Sequence, residues 1–167
     1  VEIGRDWFRS RVESSKPVRD VLLPKYADKM ESNLLPAQWD EDDFNLVFFV
    51  SSEFEVADIK EVKASHPYSQ GEFVERIHGA FPKISIYVRM HPNLYGVERV
   101  FVERMNRLGE LSSVHVIASG SSVDSYELMR QANLIVSYGS TVGIESAYLR
   151  KPVITIGASW YQEFGAD

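Results

Sequence analysis

Cysteine is missing from the sequence altogether, which removes disulfide staples and thiolate chemistry from consideration and suits a cytoplasmic protein. Long apolar runs are missing too, so no stretch reads as a membrane span. Basic residues are in the minority: 18 Lys and Arg against 24 Asp and Glu give a net charge of −6. Nucleic-acid binding depends on a basic face, and neither the total nor any local cluster supplies one, so no nucleic-acid partner is expected. Several motifs are absent as well. There is no G-x-G-x-x-G and no G-x-x-x-x-G-K-[ST], which argues against dinucleotide oxidoreductases and P-loop NTPases. G-x-S-x-G and H-E-x-x-H are also lacking, which argues against a hydrolase elbow and a zincin.

What remains is an ordinary globular composition. The chain has 167 residues, 44% hydrophobic and 25% charged, enough for one domain with a real core. It starts at Val1 without a methionine and stops at Asp167 in a polar, aromatic run, which predicts a piece of a longer protein. Ile3, Trp7, Phe8 and Val12, then Tyr26, Met30 and Leu34, have helical spacing, so residues 1–43 are expected to form a helical connecting segment. The run Asp40-Glu41-Asp42-Asp43 is read as a solvated turn and not as a metal site, because its spacing fits no ligand loop.

From residue 44 onward strand-like and helix-like patterns alternate. Apolar runs predict strands at Leu46–Val50, Ile84–Val88, Val114–Ala118, Leu134–Val136 and Val153–Ile156. Between them, helices are expected around Phe73, Val74 and Ile77, over 97–108, around Tyr126, Leu128 and Met129, and over 141–149. The second of these should pack with Val97, Val100, Phe101, Met105 and Leu108 on one side. Asp124 with Glu127 has the form of a capping box. Such alternation implies right-handed crossovers and an α/β fold: a Rossmann-like, doubly wound, mostly parallel sheet with helices on both faces. The carboxyl ends of all five strands then share one rim, where ligands of such sheets bind.

The residues at that rim suggest a phosphate. Tyr138-Gly139-Ser140-Thr141-Val142-Gly143-Ile144-Glu145 opens a helix with hydroxyls, and Gly139 and Gly143 are expected to let a ligand approach the backbone. Glu145 lies one turn in, within reach of a sugar hydroxyl. Arg89 and His91 leave the second strand together, with Pro92 holding His91 extended. Ser51 and Ser52 follow the first strand and serve equally well as turn formers or ligand contacts, while Ser125 and Tyr126 are candidate contacts at another helix start. His66, His78 and His115 have no comparable setting.

Three stretches carry a family resemblance: Phe48-Phe49-Val50-Ser51-Ser52-Glu53, Val88-Arg89-Met90-His91-Pro92-Asn93, and the run from Asp124-Ser125-Tyr126 through Tyr138-Gly139-Ser140-Thr141 to Gly157. Over residues 46–165 the chain resembles the GT-B glycosyltransferases, in particular the bacterial capsule and surface polysaccharide branch. The resemblance implies one half of a GT-B fold, with residues 44–167 as a Rossmann-like nucleotide-sugar-binding domain. It implies a CMP-, UDP- or CDP-linked sugar donor, Glu145 as the ribose ligand, and phosphate contacts from His91, Ser140 and Thr141. The acceptor, a surface glycan, would be bound by a domain preceding Val1, which would also supply the catalytic base. No metal or cofactor is expected, and the parent protein would work in the cytoplasm, at the inner face of the membrane. Relatives usually carry glycine where Arg150 stands before Lys151-Pro152. A nucleotide-sugar 2-epimerase, recruiting Glu53, Glu55 and Glu163, is the second enzymatic reading. Polyol-phosphate transferases and a non-catalytic nucleotide-binding partner module are the others.

Overall fold

The computed structural model describes residues 5, 6, 8, 9, 34–51, 68–91, 94, 99–157, 159 and 161. The helices expected around Ile3, Trp7 and Val12 and around Tyr26 and Met30 fall largely outside these residues. So do Ser52, Glu53, Glu55, Pro92, Asn93 and Glu163.

Five strands and four helices alternate along the described chain. They are β1 (Asn45–Phe49), α1 (Gln70–Ala80), β2 (Ser85–Arg89), α2 (Arg99–Arg107), β3 (Val114–Ile117), α3 (Ser125–Gln131), β4 (Leu134–Tyr138), α4 (Val142–Tyr148) and β5 (Val153–Ile156). A 3₁₀ turn, Leu108–Glu110, extends α2. The strands form one sheet in the order β3-β2-β1-β4-β5, and every pairing in it is parallel. The chain works outward from β1 in one direction, then crosses to β4 and works outward in the other. The switch point therefore lies between β1 and β4.

Alternation along β1 explains the two layers, because successive side chains of a strand face opposite sides. Leu46, Phe48 and Val50 join Val74 of α1 and Phe101 and Met105 of α2 in one core. Val47 and Phe49 join Tyr87, Leu128, Met129 and Ile135 in the other. A strand buried on both faces has to be an unbroken apolar run, as the sequence of β1 is.

Capping places the helices. In α1, Glu72 accepts from Ser69 N at 2.8 Å, and Ser69 Oγ accepts from Glu72 N at 3.4 Å, a full capping box. In α3 only half of the expected box forms. Asp124 caps Tyr126 N and Glu127 N, while Glu127 turns to Arg130 and the Asp124 N–H donates to Leu34 O. That last bond docks the segment before β1, whose Leu35 and Trp39 pack on the second core. Tyr87 completes the dock by packing its ring against Trp39 at a tilt of 35° and donating its hydroxyl to Gln38 O at 2.8 Å.

One expected core residue is not in the core. Val100 is 81% exposed, whereas Phe101, Met105 and Leu108 are buried. The buried stripe runs at spacings of four and three from Phe101, which places Val100 a third of a turn away from it.

The end of α4 is a Schellman motif. Lys151 N donates to Ser146 O and Arg150 N to Ala147 O, with Arg150 at φ 58°. This left-handed position favours glycine, so Arg150→Gly is expected to stabilise the fold by about 1 kcal/mol. Thermal unfolding should register this as a rise of roughly 2–4 °C. A fall in the midpoint would show that the Arg150 side chain contributes more than its backbone costs.

Among the described residues, no helix is long and apolar enough to cross a membrane.

Candidate functional site

A cleft opens at the carboxyl rim of the sheet, beyond the ends of β1, β2 and β4. It is lined by Phe49 and Val50 after β1, by Arg89, Met90 and His91 from β2, by Ser125, Tyr126 and Met129 of α3, and by Ser140, Thr141, Val142 and Glu145 around the start of α4. Seven residues singled out from the sequence thus meet in one place: Arg89, His91, Ser125, Tyr126, Ser140, Thr141 and Glu145. His78 and His115 lie elsewhere, the first beside Ser112 and the second stacked on Tyr87.

Arg89 governs the electrostatics. The residue is only 5% exposed. Its guanidinium donates from Nη1 to Ala118 O at 2.6 Å, from Nη2 to Val123 O at 3.4 Å and from Nε to Ser125 Oγ at 3.3 Å. All three acceptors are neutral. No carboxylate among the described residues lies within ion-pair distance of it, although Asp124 is close enough to act through space. Burial pulls the Arg89 pKa down from 12.5 to about 10, and Asp124 opposes the shift. The group stays protonated at neutral pH, so a permanent positive charge sits in a cleft wall with little water around it. That shift corresponds to a penalty on the order of 3 kcal/mol for carrying the charge, which an anion in the cleft would offset.

Glu145, 3% exposed, provides the opposite sign from the α4 side of the same cleft. A carboxylate accepts hydrogen bonds and a guanidinium only donates them. The cleft therefore suits a molecule that carries both an anion and hydroxyl donors.

Ser51 and Gly139 stand behind the lining. The Ser51 hydroxyl donates to Tyr138 O, and Gln70 grips the Ser51 backbone at both ends, accepting from its N–H and donating to its C=O at 2.9 Å each. This network ties the end of β1 to the end of β4. Gly139 adopts φ 57° and donates its N–H to Ile156 O, turning the chain from β4 toward α4.

Gly143 has a different role from the one expected. Its missing side chain leaves room for Tyr161, whose hydroxyl occupies the space a Cβ would take. The close approach that glycine permits here is made by Tyr161. Tyr161 and Gln70 were not anticipated from the sequence, since an aromatic after the last strand and a glutamine in a polar stretch carry no local signal of what they touch.

A parallel sheet in the order 3-2-1-4-5, with helices on both faces and a cleft at the switch point, defines a Rossmann-like α/β domain. The sequence matches the family model described as capsule polysaccharide biosynthesis protein over residues 63–166, and the chain belongs to that family.

Two solved structures of Thermosulfurimonas dismutans KpsC share the fold. The beta Kdo 2,4 transferase has a TM-score of 0.57 and 18% identity, covering 99% of this chain and 47% of its own. The beta Kdo 2,7 transferase has a TM-score of 0.53 and 20% identity, covering 75% and 37%. A Listeria monocytogenes protein described as a UDP-N-acetylglucosamine 2-epimerase has a TM-score of 0.55 and 15% identity, covering 92% and 35%. The chain thus spans between about a third and a half of the length of these structures. No curated protein matches the sequence.

Proposed function

We propose that this chain is the donor-binding domain of a glycosyltransferase that moves a sugar from a nucleotide sugar to a bacterial surface polysaccharide. The observation that carries the reading is the buried Arg89, with no carboxylate of the described residues within ion-pair distance, facing the same cleft as His91, Ser140, Thr141 and Glu145. The family match supports the capsule setting, and the fold is shared with structures described as Kdo transferases.

In this reading Arg89 and His91 carry the donor phosphate, Ser140 and Thr141 supply hydroxyls to its oxygens, and Glu145 accepts from a ribose hydroxyl. Charge that develops on the leaving phosphate is then met by groups already in position, a term that is often large in catalysis. The case rests on these side chains and not on a helix dipole, because α4 has only seven residues. The acceptor, the catalytic base and any association with the membrane surface would belong to the rest of the parent protein.

Calorimetry against CMP, CDP, UDP, GDP and ADP tests the reading directly. The wild type is expected to bind at least one of them. His91→Ala and Glu145→Ala should each weaken that binding by about ten-fold or more while shifting folding stability by less than about 1 kcal/mol. Absence of binding to all five nucleotides by the full-length parent would sink the donor-site reading. Simple unfolding of both variants would make the two residues structural. Product analysis with UDP-N-acetylglucosamine separates transfer from 2-epimerisation. That alternative needs acid–base carboxylates at the sugar, and Glu145 is the one carboxylate lining the cleft among the described residues.

A further inference from the structure

Tyr161 lies beyond β5 and is 2% exposed. Its hydroxyl donates to Ser140 O at 2.7 Å. The same oxygen accepts from Gly143 N at 3.1 Å and from Ser137 Oγ at 3.4 Å. Donors from β4, α4 and the segment after β5 therefore converge on one carbonyl. A carbonyl oxygen has two lone pairs, so this one is fully used and its peptide plane is pinned. In a trans peptide the next N–H points opposite to the C=O. Fixing Ser140 O toward Tyr161 thus also fixes the direction of the Thr141 N–H.

Room for this contact is built in. A Cβ on Gly143 would overlap the Tyr161 hydroxyl, would come within 3.1 Å of Tyr161 Cζ and would lie 2.9 Å from Thr155 Oγ1. Real Cβ atoms essentially never come as close as the first and last of these. Glycine at 143 and tyrosine at 161 form a matched pair, and what they hold is the Ser140–Thr141 turn that lines the cleft.

We propose that Tyr161 is a positioning residue for the phosphate-binding part of the cleft: it sets the orientation of Ser140 and Thr141 without touching the donor. The proposal rests on the donor-site reading above, and it assigns a role to a residue outside the cleft lining. Tyr161→Phe keeps the ring beside Gly143 and removes the shortest of the three hydrogen bonds to Ser140 O, leaving the longer ones from Gly143 N and Ser137 Oγ, so the Ser140–Thr141 peptide is held less firmly.

The test compares the full chain with Y161F by NMR titration with two matched pairs, cytidine with CMP and uridine with UMP. The variant is expected to bind the nucleotide about ten-fold more weakly and to bind the nucleoside as the wild type does, because only the phosphate contacts are displaced. The ratio of the two affinities is unaffected by the fraction of folded protein, so it remains decisive if Y161F is destabilised. Unchanged nucleotide affinity overturns the proposal. A parallel loss for nucleoside and nucleotide also overturns it, since it would reveal a general structural role. Failure of the wild type to bind CMP, UMP or any of the five nucleotides named above removes the donor-site reading and takes this inference with it.

Discussion

Arg89→Met is expected to weaken nucleotide binding about a hundred-fold, the largest loss of any single substitution in the cleft. Methionine keeps the length and apolar stem of the side chain, so the wall of the cleft keeps its shape. What disappears is the charge. A cation with no carboxylate partner within ion-pair distance among the described residues, offset only through space by Asp124, keeps much of its attraction for an incoming anion, in surroundings where screening by water is weak. Folding itself should change far less, because removing a buried charge relieves its desolvation while giving up the bonds to Ala118 O and Val123 O. Arg89→Lys should recover part of the affinity, since it restores the charge without the fork that grips both carbonyls. Calorimetry on the three proteins decides the matter. Affinity of R89M within three-fold of wild type would mean that the buried cation serves only the loop between β3 and α3.

Gly143→Ala should produce the largest loss of stability, about 3 kcal/mol. The added methyl would meet the hydroxyl end of Tyr161 on one side and Thr155 on the other. The ring would have to leave, and the bond to Ser140 O would leave with it. Urea denaturation measures the cost. In a Tyr161→Ala background the same substitution should cost less than about 1 kcal/mol, because the obstruction is already gone. Equal costs in the two backgrounds would show that Tyr161 is not what glycine accommodates.

The sheet was legible because each strand buried on two faces has to be an apolar run. Leu46 to Val50 and Leu134 to Val136 could hardly be read otherwise. Boundaries shifted by a residue or two where polar strand ends, such as Asn45 and Arg89, are buried for tertiary reasons. The rim was legible for a related reason: in a parallel sheet all carboxyl ends lie together, so Arg89, His91, Ser140 and Glu145 could be brought into one cleft without knowing any contact between them.

A residue whose partner is remote carries no such signal. Ser51 showed two equal faces in the sequence, turn former or ligand contact, and its hydroxyl is bonded to Tyr138. Gln70, which grips Ser51, sits in a stretch with no pattern beyond polarity. Its helix starts earlier than the apolar residues suggest because the Ser69–Glu72 capping box precedes Phe73. Gly143 looked like space left for a ligand, and only the position of Tyr161 shows what fills that space. Val100 was misplaced for a local reason, since one residue in a helix is a turn of about 100° and puts a valine on the water side.

The order of the strands has a consequence for how the chain acquires its cleft. None of the pairings joins neighbours through a hairpin, and the central one brings together Asn45 and Asn133, which are 88 residues apart. Closing so long a loop costs entropy before any contact is gained, which makes such topologies slow to fold. As the chain emerges in synthesis, β1, β2 and β3 can associate first, with one edge of β1 left open. The cleft is completed only when β4 fills that edge, so the nascent chain has no complete cleft until most of the sheet has been made.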